Sequence, residues 1–195
     1  MTVLSAAILL FLVMDPLGNI LLFTAALQNV PAKRRMKVVA RELVIAYAVL
    51  VFFLFAGEPL LRLLGISGPA LTIAGALVLF LISLRMVFPY ADSHHGEALS
   101  GEPLVVPLAI PYVAGPSAMA TVMLLMSRDP ARWADWLLAL TLAWAASTAI
   151  LTLGGRIGAF LGRRGLVALE RLMGLLLVAL AVQMFIAGWS AVRPS

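Results

Sequence analysis

The sequence predicts an all-α membrane protein: six transmembrane helices forming two inverted three-helix repeats, with helices 1 and 4 broken near mid-membrane. Three observations carry this. Of 195 residues, 63% are hydrophobic and 12% charged, with mean hydropathy +1.07, whereas a soluble domain carries about a quarter charged residues. Apolar stretches of about 20 residues, the length that crosses a bilayer, recur six times. Prolines interrupt the first and fourth of them, at Pro16 and Pro116.

The stretches fall at 3–28, 38–56, 68–88, 104–127, 135–154 and 168–190. Backbone in hydrocarbon must satisfy its own hydrogen bonds, so each reads as a helix. The first, opening "MTVLSAAILLFLVMDP", lacks the basic leader and cleavage site of a signal peptide and reads as a retained span. Polar connectors separate the spans: "NVPAKRRMK", "GEPLLRLLGIS", "YADSHHGEALSGEP", "SRDPARWAD" and "GRIGAFLGRRG". Connectors one, three and five, with adjoining helix ends, hold Lys33, Arg34, Arg35, Lys37, Arg41, Arg85, Arg156, Arg163, Arg164 and Arg171. The other side holds Arg62, Arg128, Arg132 and Arg193. Ten against four makes the first group cytoplasmic, with both termini outside.

The halves resemble each other within one membrane domain, 1–195, divided into repeat 1 (1–100) and repeat 2 (101–195). "DPLGN" answers "GPSAM", and "IAGALVLFLISLRM" (73–86) aligns with "LMGLLLVALAVQM" (172–184), setting Gly75 opposite Gly174. A unit of three spans, repeated once, inserts the second time upside down, the plan of many secondary transporters.

The breaks are costly. A carboxylate in the bilayer interior costs roughly 2.5 to 3.5 kcal/mol on insertion scales, proline removes a backbone donor, and glycine and asparagine weaken a helix. With helix 1 divided into 3–14 and 19–28, and helix 4 into 104–113 and 117–127, each break exposes carbonyls of one half and amides of the next. Their partial charges of about half a unit suit a small zwitterion, whose carboxylate takes free amides as anions do at helix N-termini. Candidate substrate-binding residues are Asp15, Pro16, Gly18, Asn19, Ala114, Gly115, Pro116, Ser117 and Ala118, with Gln183 deep in helix 6. Asp15 is the candidate for the ammonium or for a coupling ion, H+ or Na+. The alternative is a pair of proline kinks that only shape packing, with Asp15 capping a free amide.

Other polar residues read more plainly. Ser83 lies deep in helix 3 and Arg85 snorkels at its end. Glu42 and Glu58 read as interfacial, and Glu170 as a first-turn acid of helix 6. His94 and His95 lie in a solvated loop, so no metal is expected. Gly154, Gly158 and Gly162 recur every fourth residue, a packing face. The chain has no cysteine, which excludes disulfides and thiolate chemistry. No nucleophile–base pair, Walker loop or zincin helix appears, so neither an enzyme nor a cofactor is expected. No basic stretch interleaves with aromatics, which sets nucleic acid aside.

The same residues resemble the MarC family of integral membrane proteins. The likeness lies in "DPLGNILLF" (15–23), "PLAIPYVAGPSAMAT" (107–121) and "ERLMGLLLVALAVQMFIAG" (170–188), and covers nearly the whole chain. It implies six spans, the plasma membrane of a bacterium or archaeon, and transport of glycine- or alanine-sized neutral amino acids. Three departures are Leu21 in place of a frequent second proline, Ser117 in place of glycine, and Arg85 in place of a common acid. Expected partners are a small-molecule substrate and membrane lipid, with a homo-oligomer allowed. A channel or lipid-handling protein, and a scaffold without transport, are the competing functions.

Overall fold

The computed structural model describes residues 1–28, 30–88 and 113–192, and among them all regular structure is helical. Helix α1 spans Val3–Met14, α2 Asn19–Ala26, α3 Ala32–Leu63 and α4 Gly68–Val87. After the break come α5 (Pro116–Arg128), a 3-10 turn (Pro130–Arg132), α6 (Trp133–Thr152) and α7 (Gly154–Val192). Among the described residues, four helices are long and apolar enough to cross a membrane, and α1 with α2 makes a fifth when the bent pair counts as one span. The 104–112 part of the fourth predicted span, the 100/101 repeat boundary and the His94–His95 loop lie outside the described residues.

Local chemistry fixes the helix ends. Thr2 Oγ1 accepts the Ser5 amide at 3.2 Å while Ser5 Oγ accepts the Thr2 amide at 3.0 Å, a capping box that opens α1. Ser67 Oγ accepts the Ala70 amide at 3.3 Å to open α4, with Pro69 in the first turn, where no donor is missed. At the end of α3 the chain turns through Gly65 at φ +65°, and the Ile66 amide donates back to the Leu61 carbonyl at 2.9 Å. A left-handed glycine after a helix closes it in this way.

Helix α7 begins before the predicted sixth span because the last connector is itself helical, joined to the span across a kink. That connector contains no proline, so helical hydrogen bonding continues on both sides of a bend at Gly162 (φ 65°, ψ 173°). The three spaced glycines therefore do not form one packing face. Gly154 lies against Ile20, Gly158 against Leu166 of its own helix, and Gly162 is the hinge. Glu170 is consequently an interior residue of α7 and not a first-turn acid.

The helices run up and down. Tyr47 Oη and Thr141 Oγ1 share a hydrogen bond of 2.8 Å, and Trp144 Nε1 donates to the Leu43 carbonyl at 2.8 Å, so α3 and α6 are antiparallel. In α7, Gly188 lies against Pro69 and Ile73, and Gly174 against Ser83 and Met86, an antiparallel pair with α4. Small residues let these backbones approach closely, as membrane helices do. Gly57 of α3 lies against Met123 of α5, and Gly75 of α4 against Ala120. Arg132 Nη1 reaches the Met1 carbonyl at 2.9 Å, which ties the start of α1 to the start of α6. The described basic residues of connectors one, three and five therefore gather at one end of the bundle.

The main core joins α1, α2, α3, α5, α6 and the start of α7 through Leu10, Met14, Phe23, Leu50, Leu54, Ala118, Val122, Leu140 and Leu166, among others. A smaller cluster, Leu79, Leu177 and Ala181, joins α4 to α7. The outer surface is also apolar: Leu4, Val44, Phe52, Leu81, Leu175 and Ile186 are all more than half exposed. Hydrocarbon is the solvent in which such a surface is neutral, since it need not hide from water.

Candidate functional site

The first break is built from four buried residues, Asp15, Pro16, Gly18 and Asn19. Helix α1 ends where Asp15 adopts a left-handed conformation (φ 44°, ψ 58°), the one such non-glycine among the described residues. Aspartate tolerates this region better than most residues. Its amide still donates to the Phe11 and Leu12 carbonyls, both at 3.1 Å, while its own carbonyl accepts the Asn19 amide at 3.1 Å. One side chain thus closes a helix and opens the next: Asp15 Oδ1 accepts the Gly18 amide at 3.1 Å. Pro16 follows in the position where a missing donor costs nothing. The axis turns by 48° between α1 and α2.

Asn19 completes the turn. Its Nδ2 donates to the Met14 carbonyl at 3.0 Å, a group that the end of α1 leaves without a helical partner. Gly18 has ordinary helical angles (φ −64°, ψ −35°); space, not backbone conformation, requires glycine. A Cβ there would strike the Asp15 carboxylate and come within 2.5 Å of Met86 Cε. The end of α4 thereby closes over the break. Glu170 of α7 lies within electrostatic reach of Asp15, so two carboxyl groups share this neighbourhood, an association that its sequence position did not reveal.

The second interruption is described from Val113 onward. Val113, Ala114 and Gly115 are buried and lead into α5 through an extended Gly115 (φ −75°, ψ 163°). Pro116 takes the first helical position and is exposed, whereas Ser117 and Ala118 are buried. Among the described residues no side chain caps this helix start. The Gly115 carbonyl accepts the Met119 amide at 2.9 Å, while the amides of Ser117 and Ala118 lie in the first turn, where helices leave donors over. Ser117 also contributes its carbonyl to Thr121 Oγ1 at 2.7 Å.

Helix α1 packs directly on α5, and Met14, Val113, Ala114 and Ala118 belong to one buried core. The two segments thus border the same interior. Gln183 does not join them. Met173, Gly174, Leu177, Ala181 and Gly188 mark the buried face of α7, and Gln183 is exposed half a helical turn away from it. A surface hollow lined by Phe55, Glu58, Pro59, Met126, Pro130 and Trp133 lies at the far end of α3 and contains none of the candidate residues.

Glu42 departs most from the sequence reading. Read as interfacial, it is fully buried. Arg41 reaches its Oε1 through Nε at 3.0 Å and Nη2 at 2.8 Å, while Oε2 has no hydrogen-bond partner among the described residues. The missed signal was spacing: Glu42 falls in line with Val38, Val39, Leu43, Ala46 and Leu50, all on the buried stripe of α3.

The family model described as "MarC family integral membrane protein" matches residues 1–192. The chain is 46% identical over 187 residues to the UPF0056 inner membrane protein YhgN of Escherichia coli strain K12, covering 95% of each chain. It is 44% identical to a UPF0056 membrane protein of Buchnera aphidicola from Schizaphis graminum, over 97% of this chain and 96% of the relative. It is 33% identical to a UPF0056 membrane protein of Methanocaldococcus jannaschii, over 92% and 91%. No solved structure matches the chain.

Proposed function

Since the chain belongs to the MarC family of integral membrane proteins, we propose that it is a secondary transporter. Its substrates are small neutral amino acids of the glycine and alanine class, held between the breaks of the first and fourth spans. The observation that carries this reading is a pair of proline-marked interruptions bordering one buried core, the second opening on a helix start that no side chain caps among the described residues. That start offers the Ser117 and Ala118 amides to a carboxylate. Asp15, with Glu170 in electrostatic reach, offers negative charge to an ammonium. Gly115 and Ala118 keep that start open to a small substrate side chain only, whereas the space at Gly18 is already taken by Asp15 and Met86.

The inverted repeat gains support from the packing. Exchanging the halves turns α1 on α6 into α5 on α3, and α2 on α7 into α5 on α4; all four contacts exist, as do the self-paired α3–α6 and α4–α7. Pro31-Ala32-Lys33 and Pro130-Ala131-Arg132, each opening the middle helix of its half, are also 99 residues apart. On this reading the basic end of the bundle faces the cytoplasm, both termini lie outside, and the protein resides in the plasma membrane of a bacterium or archaeon.

A second reading has its own observation. Asp15 and Asn19 satisfy the first break internally, as a packing kink in a scaffold would also require. Proteoliposomes holding the purified chain separate the two. Saturable uptake of labelled glycine or alanine, competed by unlabelled substrate and reduced at least tenfold by Ser117→Leu, is the expected result. No flux from the wild-type protein favours the scaffold, and flux that does not saturate favours a channel.

A further inference from the structure

Glu42 has no part in the site proposed at the breaks, yet among the described residues it is the most deeply buried charged side chain. It sits on the core-facing stripe of α3 with no exposed surface. One carboxylate oxygen is held by Arg41, itself about a third exposed, and the other has no partner among the described residues. A buried acid oxygen without a donor is expensive in any protein and more so in one surrounded by hydrocarbon, where intramembrane acids commonly mark ion or proton pathways.

A second unpartnered oxygen lies at the same depth. The Tyr47–Thr141 hydrogen bond fixes the register of α3 against α6. At about 1.5 Å per residue, Glu42 lies roughly 7.5 Å from that bond and Thr148 roughly 10.5 Å, in the same direction because the helices are antiparallel. Thr148 Oγ1 is also buried without a partner among the described residues. Glu42 and Thr148 therefore lie at similar depth in the bundle, with the buried Ser147 hydroxyl, which donates to the Ala143 carbonyl at 2.8 Å, beside Thr148.

We propose that Glu42 is the proton-carrying group of the transport cycle, distinct from the pocket at the breaks; this rests on the transport reading above. In the charged state Arg41 neutralises the carboxylate through Oε1. A hydronium ion then gives its proton to Oε2 and leaves as water, so an O–H bond forms and the Arg41 pair loses its charge complement. Arg41 turns outward, and the proton later passes from Oε2 to water on the opposite side of the membrane, restoring the pair. A proton requires a single acceptor, which the unpartnered Oε2 provides.

Among the described residues, the charges around this level are few. The helices packed on α3 are chiefly α5 and α6. Their charged groups, Arg128 and Asp135, lie with Arg132 of the preceding turn at the far end of α3 beside Glu58. On α3 itself Lys33, Arg34, Arg35 and Lys37 are exposed, as are Arg156, Arg163 and Arg164 of α7. Among described groups, Arg41 alone contacts Glu42.

The test uses the full chain in proteoliposomes with a pH-sensitive dye inside and labelled glycine or alanine outside. Wild-type protein is expected to accumulate substrate when a pH gradient is imposed and to move protons when substrate is added. Glu42→Gln keeps the size but cannot carry the proton. Its gradient-driven accumulation should fall at least tenfold, while exchange of internal for external substrate at equal pH falls no more than about twofold. Gradient-driven uptake that survives in E42Q, or wild-type accumulation driven by sodium without proton movement, overturns the proposal and leaves the transporter reading standing. Absence of wild-type flux removes the transporter reading and this role with it. Should E42Q fail to fold, a hydrophobic carbodiimide, which modifies protonated carboxyls, serves on the wild-type protein. Labelling of Glu42 that falls as pH rises and on substrate addition supports the proposal; labelling indifferent to both overturns it.

Discussion

Replacing Gly18 by alanine tests whether the Asp15 cap holds the first break together. The backbone alone would welcome the change, because Gly18 has helical angles and alanine is favoured over glycine in a helix by about 1 kcal/mol. Two effects oppose it. The new Cβ falls on the Asp15 carboxylate and within 2.5 Å of Met86 Cε, and overpacking of this kind costs about 1–3 kcal/mol. The methionine tip can swing away. The carboxylate can move only by giving up the Gly18 amide, which it holds at 3.1 Å, and a lost hydrogen bond to a charged group costs about 1.5–3 kcal/mol. The net expectation is destabilisation by about 1.5–5 kcal/mol. Equilibrium unfolding in mixed detergent micelles, followed by tryptophan fluorescence, measures it. A Gly18→Ala protein as stable as the wild type, or more so, would refute the idea that this hydrogen bond closes the break.

Three further outcomes follow from the same geometry. Asp15→Asn keeps an acceptor of equal size, and the two residues cap helices about equally well. Its stability should therefore change by less than about 1 kcal/mol while glycine affinity, measured by competition in proteoliposomes, falls at least tenfold. Trp144→Phe removes the 2.8 Å bond to the Leu43 carbonyl but keeps the ring beside Tyr47, 4.8 Å away. The expected loss is about 0.6–1.5 kcal/mol in the unfolding assay. Gly188→Leu places its Cβ 2.8 Å from Ile73 Cγ1 and 3.2 Å from the Pro69 carbonyl. It should loosen α7 from α4 and raise the rate of crosslinking between cysteines introduced elsewhere on their exposed faces.

What could be read from the sequence follows the range of each signal. Helix ends are local, so the break after Met14 and the restart at Asn19 were readable from "MDPLGN", and the structure has these same limits. The start of α7 was not, because "GRIGAFLGRRG" looks like a connector to a hydropathy reading although it is helical on both sides of the kink at Gly162. Burial is a tertiary property. Glu42 near a span end looks interfacial by position, but the α3 stripe from Val38 to Leu61 carries it inward. Gln183 looks central by depth, yet depth along an axis says nothing about rotation around it, and the buried face of α7 points it outward. The approach of Glu170 to Asp15 depends on how α7 packs, which no local pattern encodes.

The satisfied state of the first break also sets what binding there requires. The Gly18 amide is already donated to Asp15 and the Met14 carbonyl already accepts from Asn19, so a zwitterion at this break exchanges partners instead of filling vacancies. Each exchange returns little, since a net hydrogen bond contributes only about 0.5–1.5 kcal/mol. The uncapped start of α5 is different. Among the described residues no side chain caps it, so a substrate carboxylate gains most there and the ammonium gains less at Asp15. Carboxylate recognition should therefore dominate affinity. An amino acid with its carboxyl amidated should lose most of its competition against labelled glycine, and one lacking the amino group should lose less. The reverse order would move the anchor from α5 to Asp15.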